Sequence, residues 1–416
     1  MNMRMLRIER AVLTLVAAAL CTFGAAAQTT PHYLIVNNNH PAGNFATFFT
    51  LATDGTFTAQ QKVVTGGKGV PLPQLFETPS SQGVATFHSA SQDCFFVSDA
   101  GTSDIAAIDS TLKVVGRFRG GASDLNNFAG IALAINHNFL YAAFTGTANS
   151  SLGGALGSFA IESGCRLKFL GSVPAVGTGL VRPILRYPVA IAAHATILVL
   201  VYGDGSIESF HFSNGLAESN GDLRNSTATE NQAGVTSSVD ITQDAKFAVF
   251  GVNVGDGATG AVEVTNISSG SLSTSSTLYT LANYDSSYVR LSPDESLLYQ
   301  TGPAYAGAAN FNKTTGTVTD GCAGVLKDPN EGRTVEWWFV SAQALADNAS
   351  GTGSTVYYAE NTAVPGSAGN DQYVGFANVS SSGNSCTLTE SPQSNVEMQS
   401  NSPDFGTLAT WPPRAF

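Results

Sequence analysis

The chain is short of charge. Only 12% of its 416 residues are Asp, Glu, Lys or Arg, and the acids outnumber the bases 31 to 19. Long surface helices carry a charged face, so this poverty disfavours them. The net charge of −12 argues against nucleic acid as a partner, because phosphates select basic surfaces, and it disfavours an anionic membrane. Cysteine is also scarce: five residues, none in a CxxC pair and none at ligand spacing from a histidine. Zinc is therefore not expected. No Gly-x-Ser-x-Gly elbow has the strand-to-helix context a serine hydrolase needs. Gly-rich stretches such as Gly153-Gly154 do not lead from a strand into a helix, so no phosphate loop is expected either. Beyond residue 27 no apolar run is long enough to span a bilayer. Neither a metal nor a cofactor is implied.

What is present begins with an export signature. Arg4, Arg7 and Arg10 form a basic start, Ala11 to Phe23 is a short apolar run, and Ala25-Ala26-Ala27 supplies the small residues of a cleavage site. Residues 1–27 read as a signal peptide and 28–416 as one domain, secreted or periplasmic. A lipoprotein would need Cys21, but the bulky Leu20 before it disfavours that processing. Four cysteines then remain, Cys94, Cys165, Cys322 and Cys386, and in an exported chain they suit two disulfides with three connectivities open. Gly is abundant at 43, which suits many short strands and tight turns.

A short apolar phrase recurs seven times. It starts at Tyr33, Cys94, Phe139, Ile197, Phe247, Leu297 and Val356, at intervals of 61, 45, 58, 50, 50 and 59 residues. After each phrase a strand runs into a tight turn: Asp54-Gly55, Ser163-Gly164, Asn214-Gly215, Ser269-Gly270, Thr315-Gly316 and Ser382-Gly383. The second repeat has Asp109-Ser110-Thr111 instead. Before each phrase except the first stands a short apolar strand with small residues, as at Val84–Phe87, Ile131–Ile135 and Val189–Ala192. Each repeat thus reads as four strands, A to D, from inside to outside. The first lacks strand A, and Gly406 to Trp411 is one strand too many at the other end. The two irregularities cancel if the last strand completes the first repeat, which closes a ring and pairs its edges. The expected fold is all-β: a seven-bladed β-propeller closed by a C-terminal strand completing the first blade. On that topology Cys94 and Cys165 fall at one end of the ring, and Cys322 and Cys386 lie on D strands of adjacent blades. The expected pairs are Cys94–Cys165 and Cys322–Cys386.

The run from Phe96 through Ser98-Asp99 to Ile108-Asp109 resembles the repeat of YVTN and lactonase-type seven-bladed propellers. Leu291-Ser292-Pro293-Asp294 through Tyr299 is similar to their A–B corner. The resemblance covers nearly the whole chain after residue 27. It implies a ligand-binding end built by the loops from strand D into the next strand A. Mapped here, those loops carry Glu77, Asp124, Asn126, Asn127, Arg182, Arg186, Glu230, Asp285, Arg333, Glu336 and Asp404. Carboxylates and guanidiniums near one axis could bind an anionic small molecule or move a proton in lactone chemistry. Exposed loops are also polar merely because they are exposed. Arg182 and Arg186, in an apolar loop, could fork a carboxylate; a salt bridge to a neighbouring blade is the favoured reading. Trp337 and Trp338 could stack a ring, though inter-blade packing is favoured.

The histidines speak against catalysis. His137 and His194 occupy equivalent A–B corners, His211 is on a C strand, and His88 alone follows an A strand. Lactonase-type enzymes carry a His phrase entering an inner strand, and no blade here matches it. Asp204-Gly205 and the 255–260 segment resemble loose Ca²⁺ loops but lack the acidic ligands, and read as B–C turns. The function expected first is a non-catalytic binding or scaffold propeller. A lactonase-like hydrolase and a protein-interaction module are the alternatives. The partner would be a small molecule or protein at the ring face, and the chain a monomer.

Overall fold

The computed structural model describes residues 32–52, 54–69, 83–119, 131–145, 154–253, 259–282, 288–302, 305–325, 337–347, 354–363, 370–382, 385–391, 396–402 and 407–411. Among these the strands form seven antiparallel sheets. Blade one holds β1 (His32–Asn37), β2 (Phe45–Leu51) and β3 (Phe57–Val64). Blade two is β4 (Val84–His88), β5 (Asp93–Asp99), β6 (Asp104–Asp109) and β7 (Val114–Phe118). Blade three is β8 (Ile131–Asn136), β9 (Phe139–Phe144), β10 (Gly154–Glu162) and β11 (Arg166–Ala175). Blade four has β12 (Pro188–His194), β13 (Ile197–Tyr202), β14 (Ser206–Ser213), β15 (Leu216–Ser219) and β16 (Arg224–Asn225). Blade five is β17 (Val235–Ile241), β18 (Phe247–Asn253), β19 (Thr259–Ser268) and β20 (Ser271–Ala282). Blade six is β21 (Tyr288–Leu291), β22 (Leu297–Gly302), β23 (Tyr305–Asn312) and β24 (Thr317–Val325). Blade seven has β25 (Trp337–Asp347), β26 (Ser354–Ala363), β27 (Asn370–Ser382), β28 (Ser385–Glu390) and β29 (Val396–Ser402).

The last strand, β30 (Thr407–Trp411), pairs with β1 in the register Tyr33 opposite Trp411 through Asn37 opposite Thr407. It supplies the inner strand that blade one lacks. The spare strand in the sequence and the missing one are the same strand.

The recurring phrase is strand B, and its composition follows from its position. A second strand of a blade has paired strands on both edges and another blade against each face. All six residues of β13 are buried, for instance. A run of apolar residues without alternation results. The core is correspondingly divided into wedges between facing sheets, with a buried apolar cluster at each of the seven blade boundaries. Between blades one and two, Tyr33, Phe48, Phe95 and Trp411 form one aromatic group.

The C–D hairpins show why the glycines stand where they do. At Asn214-Gly215 and Ser269-Gly270 both central residues have positive φ, the arrangement a two-residue turn needs to match strand twist. In the second repeat, where glycine is missing, Leu112 takes the left-handed conformation at φ 60°. Asp109 Oδ1 secures that turn by accepting from the backbone N–H groups of Thr111 and Lys113.

One feature differs from the four-strand reading. In blades four and seven the outer strand is split in two, so that β15 and β16 both pair with β14, and β28 and β29 both pair with β27. In blade four the break is made by Asp222. Its carboxylate accepts from Ser209 N at 2.7 Å, from Ser209 Oγ at 2.5 Å and from Leu272 N of the next blade at 3.0 Å. A side chain replaces the ladder bond there, and the outer strand steps away.

Both disulfides are formed, Cys94–Cys165 and Cys322–Cys386, with Cα separations of 5.5 and 5.3 Å. Each joins neighbouring blades. Beside the first, Gln92 binds the turn of blade three, donating to Glu162 O at 3.1 Å and accepting from Gly164 N at 2.8 Å. The bonds close segments of 71 and 64 residues, for which chain entropy predicts about 4 kcal/mol each. Cys94 and Cys165 are fully buried, whereas Cys322 and Cys386 are half-buried. Mild reductant should therefore open Cys322–Cys386 first. Alkylation and peptide mass mapping at rising dithiothreitol would show the order, and simultaneous loss of both would contradict it.

Candidate functional site

In such a ring the D–A connections and B–C turns share one face, and the A–B and C–D turns share the other. Each face is tied together differently. On the A–B side, blades lash to one another through corner residues. Asn136 Nδ2 donates to Ala195 O at 2.9 Å, His194 Nε2 lies 2.5 Å from Gln243 O, and Gln243 N donates to Glu295 Oε1. Nearer the axis, inner-edge backbone donors of blade six find side-chain acceptors on blade five. Val289 N donates to Ser238 Oγ at 3.1 Å and Leu291 N to Asp240 Oδ2 at 2.9 Å.

The D–A side contains the most unusual electrostatics, where blade one meets blade two. Asp99 ends β5 and is fully buried. Its Oδ1 accepts from Asn44 Nδ2 at 2.8 Å and from Thr65 Oγ1 at 2.6 Å, both from blade one. Asn44 also donates to Asn37 Oδ1 at 2.8 Å, and Asn37 Nδ2 donates to Ser98 O at 2.9 Å. The second oxygen, Asp99 Oδ2, has no hydrogen-bond partner among the described residues. Arg117 Nε stands 3.9 Å from it, but that guanidinium is committed to Asp104, which it grips with Nε at 3.2 Å and with Nη2. Arg119 adds a second cation 3.6 Å from Asp104. Burial is the main force on the Asp99 carboxyl and pushes it up to about 7. Donation from Thr65 and Asn44 opposes the rise, and the neighbouring Asp104 adds to it. The backbone of the D–A segment passes directly over this carboxyl at Gly67. A Cβ there would lie 2.2 Å from Asp99 Cγ, so glycine alone fits.

Further round the ring, the connection between β11 and β12 carries Arg182 and Arg186. Arg182 is exposed and makes no ion pair among the described residues. Arg186 is half-buried and turned inward, its Nε donating to Gly177 O of the same loop at 2.9 Å. The two cations therefore have different tasks. Beneath the loop, the buried Asp204 accepts from Gly179 N at 2.6 Å, Ser206 N at 3.0 Å and Ser206 Oγ at 2.5 Å. Asp204-Gly205 is a B–C turn that fastens loop to blade. Glu230 is exposed at the end of a single helical turn, Thr227–Glu230. The buried Glu263 holds the start of that turn, accepting from Thr227 N at 3.1 Å and Ala228 N at 3.0 Å.

His88 closes β4 at an A–B corner, the opposite end of the strand from the D–A loops, where its Nδ1 is 2.6 Å from Asp93 Oδ1. It is exposed and does not join Arg182 or Arg186. His211 pairs with Asn220 on the outer part of blade four. Among the described histidines only His40 lies on a B–C loop, its ring tilted against Phe45 at 6.3 Å. Trp337 opens β25, opposite Ala363, and its side chain is outside the description. Glu77, Asp124, Asn126, Asn127, Asp285, Arg333, Glu336 and Asp404 lie outside the described residues, as do residues 1–27.

Sequence reasoning overlooked two acid sites. One is the Asp99–Asp104 pair, although both residues lie in the repeat phrase that carries the family resemblance. The other is Glu208, buried in blade four, whose carboxylate accepts from Tyr202 Oη and from Ser219 Oγ, each at 2.5 Å. Burial raises the Glu208 carboxyl despite these donors. Among the described residues no group of three His, Cys, Asp or Glu side chains could hold a metal. Nor is any described helix long and apolar enough to cross a membrane.

The sequence matches no family model and no curated protein. Its fold has many solved counterparts. A functionally unknown protein from Desulfotomaculum acetoxidans DSM 771 is 15% identical, with 87% of this chain and 96% of that chain aligned at a TM-score of 0.52. A protein from Lactobacillus plantarum is 17% identical over 75% of this chain and 81% of its own, at 0.48. A 6-phosphogluconolactonase-like protein from Bacteroides uniformis ATCC 8492 is 10% identical over 71% and 82%, at 0.45. At these identities the likeness is one of fold.

Proposed function

We propose that this chain is an exported, non-catalytic binding propeller of the YVTN type that receives its ligand on the D–A face. In this reading residues 1–27 are a signal peptide, residues 28–416 are the propeller, and the two disulfides suit an oxidising compartment. The observation that carries it is the placement of the histidines. Arg182 and the Glu230 carboxylate are exposed on D–A connections, whereas His88, His137 and His194 sit at A–B corners, His194 against a backbone carbonyl. His40, the one described histidine on the D–A face, lies against Phe45. General acid–base chemistry needs the base within hydrogen-bond reach of the reacting group. The buried carboxylates serve the scaffold: Glu263 accepts from the backbone N–H groups of Thr227 and Ala228, and Asp204 from the backbone of Gly179 and Ser206 and from the Ser206 hydroxyl.

A thermal-shift screen against sugar lactones and the corresponding acids, followed by hydrolysis assays on every hit, tests this. Ligands that raise the melting temperature without being turned over are expected. Turnover of any lactone above the uncatalysed rate would replace this reading with the lactonase-like hydrolase.

A further inference from the structure

The connection between β11 and β12 holds large apolar side chains out into solvent. Leu180 is 77% exposed, Val181 50% and Ile184 77%, three of the six large hydrophobic residues exposed among the described ones. Scattered single residues of this kind need no explanation, but three on one loop tip do. Nor is the exposure a by-product of a loose loop. Its two legs are joined by Gly177 N donating to Arg186 O at 2.8 Å and by Arg186 Nε donating back to Gly177 O. The tip is a turn closed by Leu185 N donating to Arg182 O at 3.0 Å, with Pro183 as its first central residue. The base is anchored to the next blade through Gly179 N on Asp204 and through Thr178 Oγ1 on Asn225 Oδ1 at 2.6 Å. A segment braced this well could have turned Leu180 and Ile184 inward. It presents them instead.

We propose that Leu180, Val181 and Ile184, with Arg182 among them, are a docking knob for a protein segment offering an apolar surface edged by carboxylates. The inference rests on the binding-propeller reading and gives that face a partner. Charge complementarity selects the occupant. Arg182 is an exposed guanidinium without an ion pair among the described residues, and such a fork matches the planar geometry of a carboxylate side chain on a protein partner. A preformed tip also loses little freedom on binding, which favours it as an anchor. An anionic lipid surface fits less well, because it calls for a cluster of several cations and this tip presents Arg182 alone, Arg186 being turned inward. A second copy fits less well too: an isologous contact centred on this tip would set Arg182 against Arg182.

Fluorescence anisotropy with short synthetic peptides of three compositions tests the proposal on the full mature chain. The compositions are apolar with acidic residues, apolar with basic residues, and acidic without apolar residues. The apolar–acidic peptides should bind roughly ten-fold or more tightly than the other two sets. The triple variant Leu180→Ser, Val181→Ser, Ile184→Ser should lose that binding, and Arg182→Glu should shift preference toward the apolar–basic set. Both variants change exposed side chains, so an unaltered melting temperature would show that the fold is intact. Equal binding of acidic and basic sets, or no peptide binding, would overturn the knob. So would adsorption to phosphatidylcholine–phosphatidylglycerol vesicles, or a dimer in sedimentation velocity, that the triple variant abolishes. Peptide binding that neither variant alters would overturn the knob while leaving a binding propeller. Lactone turnover would defeat the underlying reading on separate grounds.

Discussion

Asp99→Asn is expected to stabilise the protein above neutral pH and to flatten its melting temperature between about pH 4 and pH 7. The Asp99 carboxyl titrates near 7 in the folded ring, principally through burial, and near 3.9 in an unfolded chain, about three units lower. Between those values the folded state binds the extra proton. Stability is therefore complete below about pH 4 and falls as pH rises through about 7, by at most about 1.4 kcal/mol per unit. The full loss is of order 4 kcal/mol before relaxation of the site is allowed for. Asparagine retains an acceptor for Asn44 Nδ2 and Thr65 Oγ1, which now meet at Asp99 Oδ1. Its amide would occupy the place of Oδ2, which has no hydrogen-bond partner among the described residues, and could donate toward Asp104. Arg117 keeps Asp104 in either case. Differential scanning calorimetry from pH 4 to pH 8 on both proteins is the measurement. Parallel curves would show that Asp99 is ionised and satisfied throughout, contrary to its burial.

Trp411→Ala should be the most damaging substitution of the closing strand. The indole is 3% exposed and lies against Tyr33 at 5.9 Å, His88 at 6.0 Å and Phe95 at 6.0 Å, so it spans blades one and two at once. Truncating a buried aromatic residue costs about 3–5 kcal/mol through lost burial and the cavity left behind. Here the loss also falls on the pairing of β30 with β1, the contact that closes the ring. Trp411→Phe should cost less than half as much. The indole N–H has no hydrogen-bond partner among the described residues, so the smaller ring gives up burial but no bond. Urea unfolding monitored by intrinsic fluorescence would rank the two. Near-equal midpoints for wild type and Trp411→Ala would mean that closure does not depend on this side chain.

The architecture was legible for a local reason. A strand buried on both faces needs an uninterrupted apolar phrase, and a two-residue hairpin turn needs residues that tolerate positive φ. Both needs are met by a few adjacent residues, so they recur in the sequence wherever a blade recurs. Leu112 is the informative exception: the turn of the second repeat is present without its glycine, because Asp109 holds the backbone there. The split outer strands of blades four and seven were not legible. The interruption in blade four comes from Asp222 reaching Ser209, thirteen residues away, and Leu272 in the next blade, fifty away.

The same distinction governs the candidate site. Arg182 and Arg186 looked like a pair in sequence, four positions apart in an apolar loop. The folded loop turns one into a brace and leaves the other in solvent. The polarity of Asp99 was visible, but not its burial beneath Gly67 or its dependence on Asn44 and Thr65, which lie 55 and 34 residues away in another blade. In the sequence Leu180 and Ile184 are only the apolar surroundings of the two arginines, with nothing to say which way they face. Thus the sequence by itself determined the ring: seven repeats, one displaced strand to close them, and cysteines placed to join neighbouring blades. Only the tertiary structure decided which acid is buried without a full set of partners and which apolar side chains face water. Those outcomes depend on where adjacent blades press together, and contact across a blade boundary leaves no period in the chain.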